Sequence, residues 1–313
     1  MLRHPRAAPA ALAAALAAAV ALAGCGLGPG ATPARVSLTI TDGFGTHVLR
    51  DLRAPQIQGQ DTVIRLLERN AHITTRYGGG FVQSIDGRAG GVQNGRPIDW
   101  FYYVNGIEAS AGAAGTRVHA ADRVWWDRHD WGAAMSSPAV VGSFPEPFAH
   151  GSGGRRFPVR VECEHAGDAS CRAVADRLAA LGVPAGQSLL GAGPARHILR
   201  VLVGTWAALR GDPAAAAVER GPSSSGVYAR PARSGRSLGV LDPSGHVVRV
   251  LGAGTGLVAA TRTGDADPVW LVTGTDPAGV AAAAGAFDEG DLHARFAVAV
   301  AGGRREPLPE VRG

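Results

Sequence analysis

Apolar and polar positions alternate at the start of the chain. In "ARVSLTITDGFGTHVLRDL", Val36, Leu38 and Ile40 point one way and Ser37, Thr39 and Thr41 the other. A period of two predicts a half-buried strand, and Asp42-Gly43-Phe44-Gly45 is turn chemistry, so the segment reads as a hairpin. The period then changes. "DTVIRLLERN" puts Val63, Ile64, Leu66 and Leu67 on one helical face, with Asp61 or Thr62 able to offer an oxygen to the free amides at its start. Gly78-Gly79-Gly80, a strand "FVQSIDG" and a Gly-rich turn follow. Strand, strand, helix, strand, strand is an α+β order in which one helix covers one sheet face.

The window from Trp100 to Trp131 breaks the simple alternation. It holds four of the six Trp and two of the four Tyr. On the first strand Trp100, Tyr102 and Val104 share a face, opposite Phe101, Tyr103 and Asn105. On the second, Val124 and Trp126 oppose Arg123, Trp125, Asp127, His129 and Trp131. Both faces are aromatic, and one helix covers only one. The uncovered side needs a second cover: the other half of the chain, a partner or a ligand, because several large rings left in water form an unusually large exposed patch. Trp126, Tyr102 and Val104 read as core. Phe101, Tyr103, Trp125 and Trp131 read as core, interface or ligand contact, with Asp127 and His129 beside them. One His between acids, without a second His at ligand spacing, points to a solvated strand end rather than a metal site. Asn105-Gly106 is a turn that requires positive φ.

"MSSPAVVGSFPEPFAHGSGGRRF" carries Pro138, Pro145, Pro147 and Gly151 to Gly154 and reads as an extended linker, pinned by Phe144 and Phe148 against the aromatic face. Beyond it "VRVEC" is a strand and "SCRAVADRLAALG" a helix closed by Gly182. Two segments echo one another. "LRVLVGTWAALRGDPAAAAVERG" and "VWLVTGTDPAGVAAAAGAFDEG" both run strand, Gly-Thr, Asp-Pro, Ala-rich helix, with Asp212 and Asp276 as caps and Pro213 and Pro277 at the first helical position. They predict two related βα units. The whole is therefore α+β: an N-terminal domain over 35–137, a linker over 138–157, and a small α/β domain over 158–313 built of two βα units.

Composition changes this picture little. At 46% hydrophobic and 18% charged it is ordinary and globular. There is no lysine, and a net charge of +5 is carried by dispersed arginines with no basic run longer than two, which argues against nucleic acid as partner. "LGAGTGLV" lacks the GK[ST] ending of a phosphate loop and is read as a turn. No GxSxG or HExxH occurs, and the sequence nominates no catalytic or metal-binding residue.

The N-terminus is more informative. Arg3 and Arg6 precede an apolar run from about Ala10 to Ala23, the arrangement of a secretory signal. Leu22-Ala23-Gly24-Cys25 then resembles the lipobox of bacterial lipoproteins. The resemblance implies cleavage after residue 24, diacylglyceryl thioether formation on Cys25, a tether over 25–34, and a body held at the extracytoplasmic face of the cell membrane. Two acyl chains suffice for stable anchoring. In an oxidising compartment the remaining pair, Cys163 and Cys171, reads as a disulfide, worth roughly 2–3 kcal/mol by chain entropy.

The stretch "DWFYYVNGIEASAGAAGTRVHAADRVWWDRHDW", with the helix near Thr62 and "SIDG" at 84–87, resembles the C-terminal domain of transcobalamin-like proteins, found in bacterial surface proteins as a domain of unknown function. It covers roughly residues 36–131 and implies a β-grasp-like fold. A cobalamin-like ligand is thereby among the candidate cofactors. Two roles are expected: a small-ligand-binding module using the second aromatic face, and, as the alternative, a non-catalytic structural or protein-interaction lipoprotein of the cell envelope whose aromatic face is buried by its own second domain or a partner.

Overall fold

In the computed structural model, which describes residues 30–193 and 197–311, the first alternating segment forms an antiparallel hairpin of β1 (Ser37–Asp42) and β2 (His47–Leu52). The signal segment, Cys25 and the first residues of the tether lie outside the described residues. Helix α1 (Val63–Asn70) follows and buries Val63, Leu66 and Leu67 completely. Each such side chain contributes about 1.5–3 kcal/mol by leaving water. Its cap differs from expectation. Thr62 is the N-cap but makes no side-chain bond. Asp61 instead accepts the Gln58 N–H at 2.8 Å and the Arg69 guanidinium at 3.0 and 3.2 Å. The better acceptor is drawn to the charged partner one helix length away.

Next come β3 (Ile73–Arg76), β4 (Phe81–Ile85), β5 (Arg88–Ala89), β6 (Gly91–Gln93), β7 (Arg96–Val104), β8 (Ile107–Glu108) and β9 (Arg123–Asp130). β9 lies parallel to β1 and antiparallel to β7, giving a mixed sheet in the order β2-β1-β9-β7-β6, with β8 folded onto β7. Trp100, Tyr102, Val124 and Trp126 share one face with Leu38 and Ile40 and pack on α1. Asn105 and Gly106, at φ 55 and 76, make the turn between β7 and β8.

Residues 139–149 depart from the expected linker, since every one of them is buried. Phe144 and Phe148 do not touch the aromatic sheet face. Their rings pack on Phe287 and Trp270 at centroid distances of 4.8 and 4.9 Å. A Pro-rich segment with four large apolar side chains (Val140, Val141, Phe144 and Phe148) gains more by burial than by spanning water.

The remainder builds a seven-stranded sheet. Its strands are β10 (Val159–Cys163), β11 (Ala185–Leu189), β12 (Leu199–Thr205), β16 (Gly256–Thr261), β17 (Val269–Gly274), β18 (Ala297–Ala301) and β19 (Arg304–Leu308), in the order β11-β10-β12-β17-β16-β18-β19. Between β12 and β16 run α3 (Trp206–Leu209), α4 (Pro213–Arg220), α5 (Pro222–Ser225) and a meander of β13 (Ala229–Pro231), β14 (Leu238–Leu241) and β15 (Val247–Leu251). Helix α2 (Ala169–Ala180) links β10 to β11, and α6 (Pro277–Gly285) and α7 (Glu289–Leu292) link β17 to β18. The echoing segments are neighbours: β12 and β17 pair in parallel. Asp212 accepts from the Ala214 N–H and Asp276 from the Gly279 N–H, each with proline in the first turn. Gly182, at φ 73, closes α2 through the Ala179 carbonyl. A disulfide joins Cys163 to Cys171.

One face of this sheet packs on α2, α6 and the buried 139–149 segment. The other shares a core with the N-terminal sheet, in which Tyr103, Trp125 and Phe44 meet Leu202, Leu257, Leu271 and Phe296. The two halves approach most closely at Gly45 and Gly142. A Cβ on Gly45, at φ 79, would collide with the Ala294 carbonyl oxygen, and one on Gly142 would lie 2.7 Å from the Arg295 nitrogen.

Candidate functional site

The face read from sequence as a ligand platform is sealed. Tyr103, Trp125, Asp127 and His129 are all buried, and Phe296, at the entrance to β18, plugs the middle of them. Its ring stands edge-on to Tyr103, Trp125 and His129 at 5.1–5.7 Å, and Phe44 packs beside it at 5.1 Å. His129 is further stacked on Phe101 at 4.5 Å. Trp131 stays half-buried at the rim, its indole N–H donating to Asp99 at 3.0 Å.

Under the rings lies a closed polar chain. The Trp125 indole N–H donates to the Thr41 hydroxyl at 2.7 Å, and that hydroxyl donates to Asp127 at 2.5 Å. The same carboxylate accepts the backbone N–H groups of Phe44 and Gly45 at 3.1 and 2.9 Å and faces His129 Nδ1 at 2.9 Å. With Asp127 fully buried, these bonds replace its hydration shell. The arrangement is a brace that ties the β1–β2 turn to the end of β9.

Two phenols sit in the same core: the Tyr228 hydroxyl is buried and unbonded among the described residues, and the Tyr103 hydroxyl is buried beside Ser137. Burial pushes the Tyr103 phenol well up, helped by the nearby charges of Glu108 and Asp127. Tyr228 is raised by burial and then by Asp130.

An open cleft lies on the opposite side of β7. It has a volume of about 270 Å³ and is lined by Phe81, Trp100, Phe101, Tyr102 and Trp126, with Glu108 and the glycines Gly80 and Gly112. Strand alternation delivers Trp100 and Tyr102 to it from one face of β7, while the Phe101 ring turns to the other face and stacks on His129. Tyr102 and Trp126 stack at 4.9 Å. The Tyr102 hydroxyl is tied to the Ala111 carbonyl and the Thr116 hydroxyl at 2.6 and 2.8 Å, which holds the ring in place. The Trp100 N–H is spent on the Arg88 carbonyl at 2.8 Å, whereas the buried Trp126 N–H has no partner among the described residues.

Glu108 is the cleft's titratable group. Burial pushes its carboxyl above the usual range, against the Ser136 hydroxyl, which donates to it at 2.6 Å and pulls it down. A second cleft of about 290 Å³ adjoins on the far side of Glu108 and Ala109, bordered by His119, Arg117 and Arg262. Arg262, which follows β16, donates to the Glu108 carbonyl at 3.0 Å and so ties this hairpin to the C-terminal sheet. Of the six side chains singled out in the sequence, Phe101 alone lines the aromatic cleft. Glu108 carried no sequence signal. Trp100, Tyr102 and Trp126 were legible as aromatic core but not as a cleft wall.

The cleft lies in the part of the chain that matches a known family. Residues 60–130 match the family described as "Domain of unknown function (DUF4430)". Among solved structures, a crystal structure of a "putative metal binding protein" from Ruminococcus gnavus is similar at 14% identity and a TM-score of 0.25, covering 31% of this chain and 97% of that one. No curated protein matches. Among the described residues no group of three or more His, Cys, Asp or Glu is placed to hold a metal ion. Within the 251–258 stretch only residues 252–255 form the turn, which joins β15 to β16 and whose Gly254 N–H donates to Asp276 at 2.7 Å.

Proposed function

We propose that the protein is an extracytoplasmic lipoprotein, anchored through Cys25, whose N-terminal domain binds a small, flat, largely apolar ligand in the Phe81–Trp100–Tyr102–Trp126 cleft. The observation that carries the reading is that Phe81, Trp100, Tyr102 and Trp126 line one open cleft beside a single carboxyl. Such rings offer stacking area at little entropic cost. Glu108 supplies a hydrogen-bonding carboxyl at the cleft's edge. The mixed sheet with parallel β1 and β9 crossed by α1 supports a β-grasp-like domain over 35–137, with an α/β domain over 158–313. Ligand sites generally occupy about 300–1,000 Å³. The cleft, at about 270 Å³, suits a single ring system, and the proposal is confined to ligands of that size.

Calorimetry with a panel of aromatic and heteroaromatic compounds, on a chain beginning after Cys25, tests this reading. Binding weakened by Phe81→Ala and Glu108→Gln supports it; no heat from a folded sample removes it. Anchoring is tested separately, by membrane fractionation of a Cys25→Ser variant, which should release the chain.

A second reading is favoured by the sealed face. Phe296, with Val140 in the same core, covers the rings that a ligand platform would present. On this reading the rings join the two halves into one rigid body for a role in the cell envelope, and the absence of any ligand heat would support it.

A further inference from the structure

The geometry points to a separate site for a phosphate-bearing ligand, in the groove between α4 and the β13–β15 meander. This groove has a volume of about 700 Å³ and is walled by Arg210, Arg220, Arg230 and Arg233, with Glu219 the one acid among its lining residues. Glu219 bonds Arg210 at 2.9 Å and lies 3.9 Å from Arg233. Arg220 and Arg230 have no carboxylate within salt-bridge distance among the described residues, and both are exposed. Four guanidinium groups against one carboxylate leave three positive charges in excess.

The backbone makes room for this cluster. Arg230 pairs with Gly239, which pairs in turn with Val250, so the three form one row across the meander. A Cβ on Gly239 would come 3.2 Å from the Arg230 carbonyl oxygen and 3.3 Å from Val247, so the bare glycine lets Val247 pack close to the Arg230 strand. Behind Arg230 stands Gly221, at φ 106, where a Cβ would lie 2.7 Å from the guanidinium. Arg220, in the last turn of α4, also complements the helix dipole, and that role alone would account for one arginine. It does not account for three others gathered on the same groove, nor for Val247 and Val250, which stay 46% and 63% exposed beside them.

Planar guanidinium forks match oxyanions bidentately. A carboxylate offers two oxygens and a phosphoryl group three, so a phosphoryl group engages more of these guanidinium groups at once. The exposed valines would carry an apolar portion next to it. Two sources share this chemistry, a soluble phosphate compound and an anionic phospholipid headgroup.

The test uses residues 30–313, which retain every side chain of the three buried cores and lack the predicted anchor that would otherwise dominate membrane binding. Inorganic pyrophosphate is titrated by calorimetry, and phosphatidylglycerol vesicles are compared with phosphatidylcholine vesicles by co-sedimentation. Binding in either arm should fall at least about tenfold in Arg220→Gln/Arg230→Gln. It should also fall in Val250→Asp, which adds a negative charge at an exposed position and leaves the fold intact. The charge-matched control Arg53→Gln/Arg177→Gln, at exposed sites elsewhere, should stay within about twofold of the parent. Heat with pyrophosphate assigns a soluble ligand; retention on phosphatidylglycerol alone assigns a headgroup. No binding in either arm, or equal losses in the groove variant and the control, overturns the proposal.

Discussion

Replacing Asp127 with alanine removes the acceptor on which the brace between β1 and β9 converges. The carboxylate is fully buried and takes bonds from the Thr41 hydroxyl, the Phe44 and Gly45 N–H groups and His129 Nδ1. The Thr41 hydroxyl can turn to the Trp126 carbonyl, already 3.4 Å away, but the two amides and the imidazole lose the partner they hold in the structure. Each donor stranded in the interior costs about 1–3 kcal/mol, and a water admitted to the vacated space recovers part of it. The expected loss is about 3–5 kcal/mol, the range seen when one partner of a buried charged cluster is deleted. Asp127→Asn keeps the shape and one acceptor oxygen, so it should lose about half as much. Urea unfolding followed by tryptophan fluorescence gives both values. Acrylamide quenching should rise in the alanine variant, because Trp125 hangs from Thr41 in the same chain. A loss below about 1 kcal/mol with an unchanged denaturant slope would refute the reasoning, since the bonds to Asp127 would then not be holding the turn.

Gly45→Ala should cost about 3 kcal/mol in urea unfolding, because it combines left-handed backbone with a clash on the Ala294 carbonyl; a neutral result would mean the two halves are not in contact there. Cys163→Ser/Cys171→Ser should lose roughly 2–3 kcal/mol, as expected for opening so short a loop, and dithiothreitol should then leave its melting temperature unchanged while lowering that of the parent. Burial raises Glu162, but its bonds to Arg200 at 2.6 Å and Arg160 at 2.7 Å outweigh this and hold it below the ordinary carboxylate range. Its stabilisation is therefore complete above the unfolded value of about 4.3 and is lost as pH falls through the lower folded value. Glu162→Gln should flatten the acid limb of stability against pH below about pH 4, and an unaltered limb would count against the pairing.

Much of the fold was legible because local chemistry and tertiary context agree. The β1–β2 hairpin, α1 and the Asp-Pro starts of α4 and α6 follow from alternation, helical period and capping. The 139–149 segment was not legible in this way. Its prolines and glycines signal irregular backbone, and irregular backbone usually runs on the surface. What decides its position is Trp270 and Phe287, side chains more than a hundred residues away that offer its phenylalanines a pocket. The capping of α1 failed for a smaller reason of the same kind: Arg69 competes for Asp61, and no N-cap rule includes the far end of the helix.

The aromatic window shows where sequence logic reaches and where it stops. Parity assigned Tyr103, Trp125, Asp127 and His129 to one face, and two aromatic faces required two covers. Parity has no information about which cover comes, and here it is Phe296 and its neighbours. Once that face is sealed, space for a ligand remains only where packing is incomplete. One such place is beside β8, where Glu108 and Ala109 border the rings of Trp100, Tyr102 and Trp126. This is why side chains that read as plain core line the candidate site, while the side chains that read as the site hold the two sheets together.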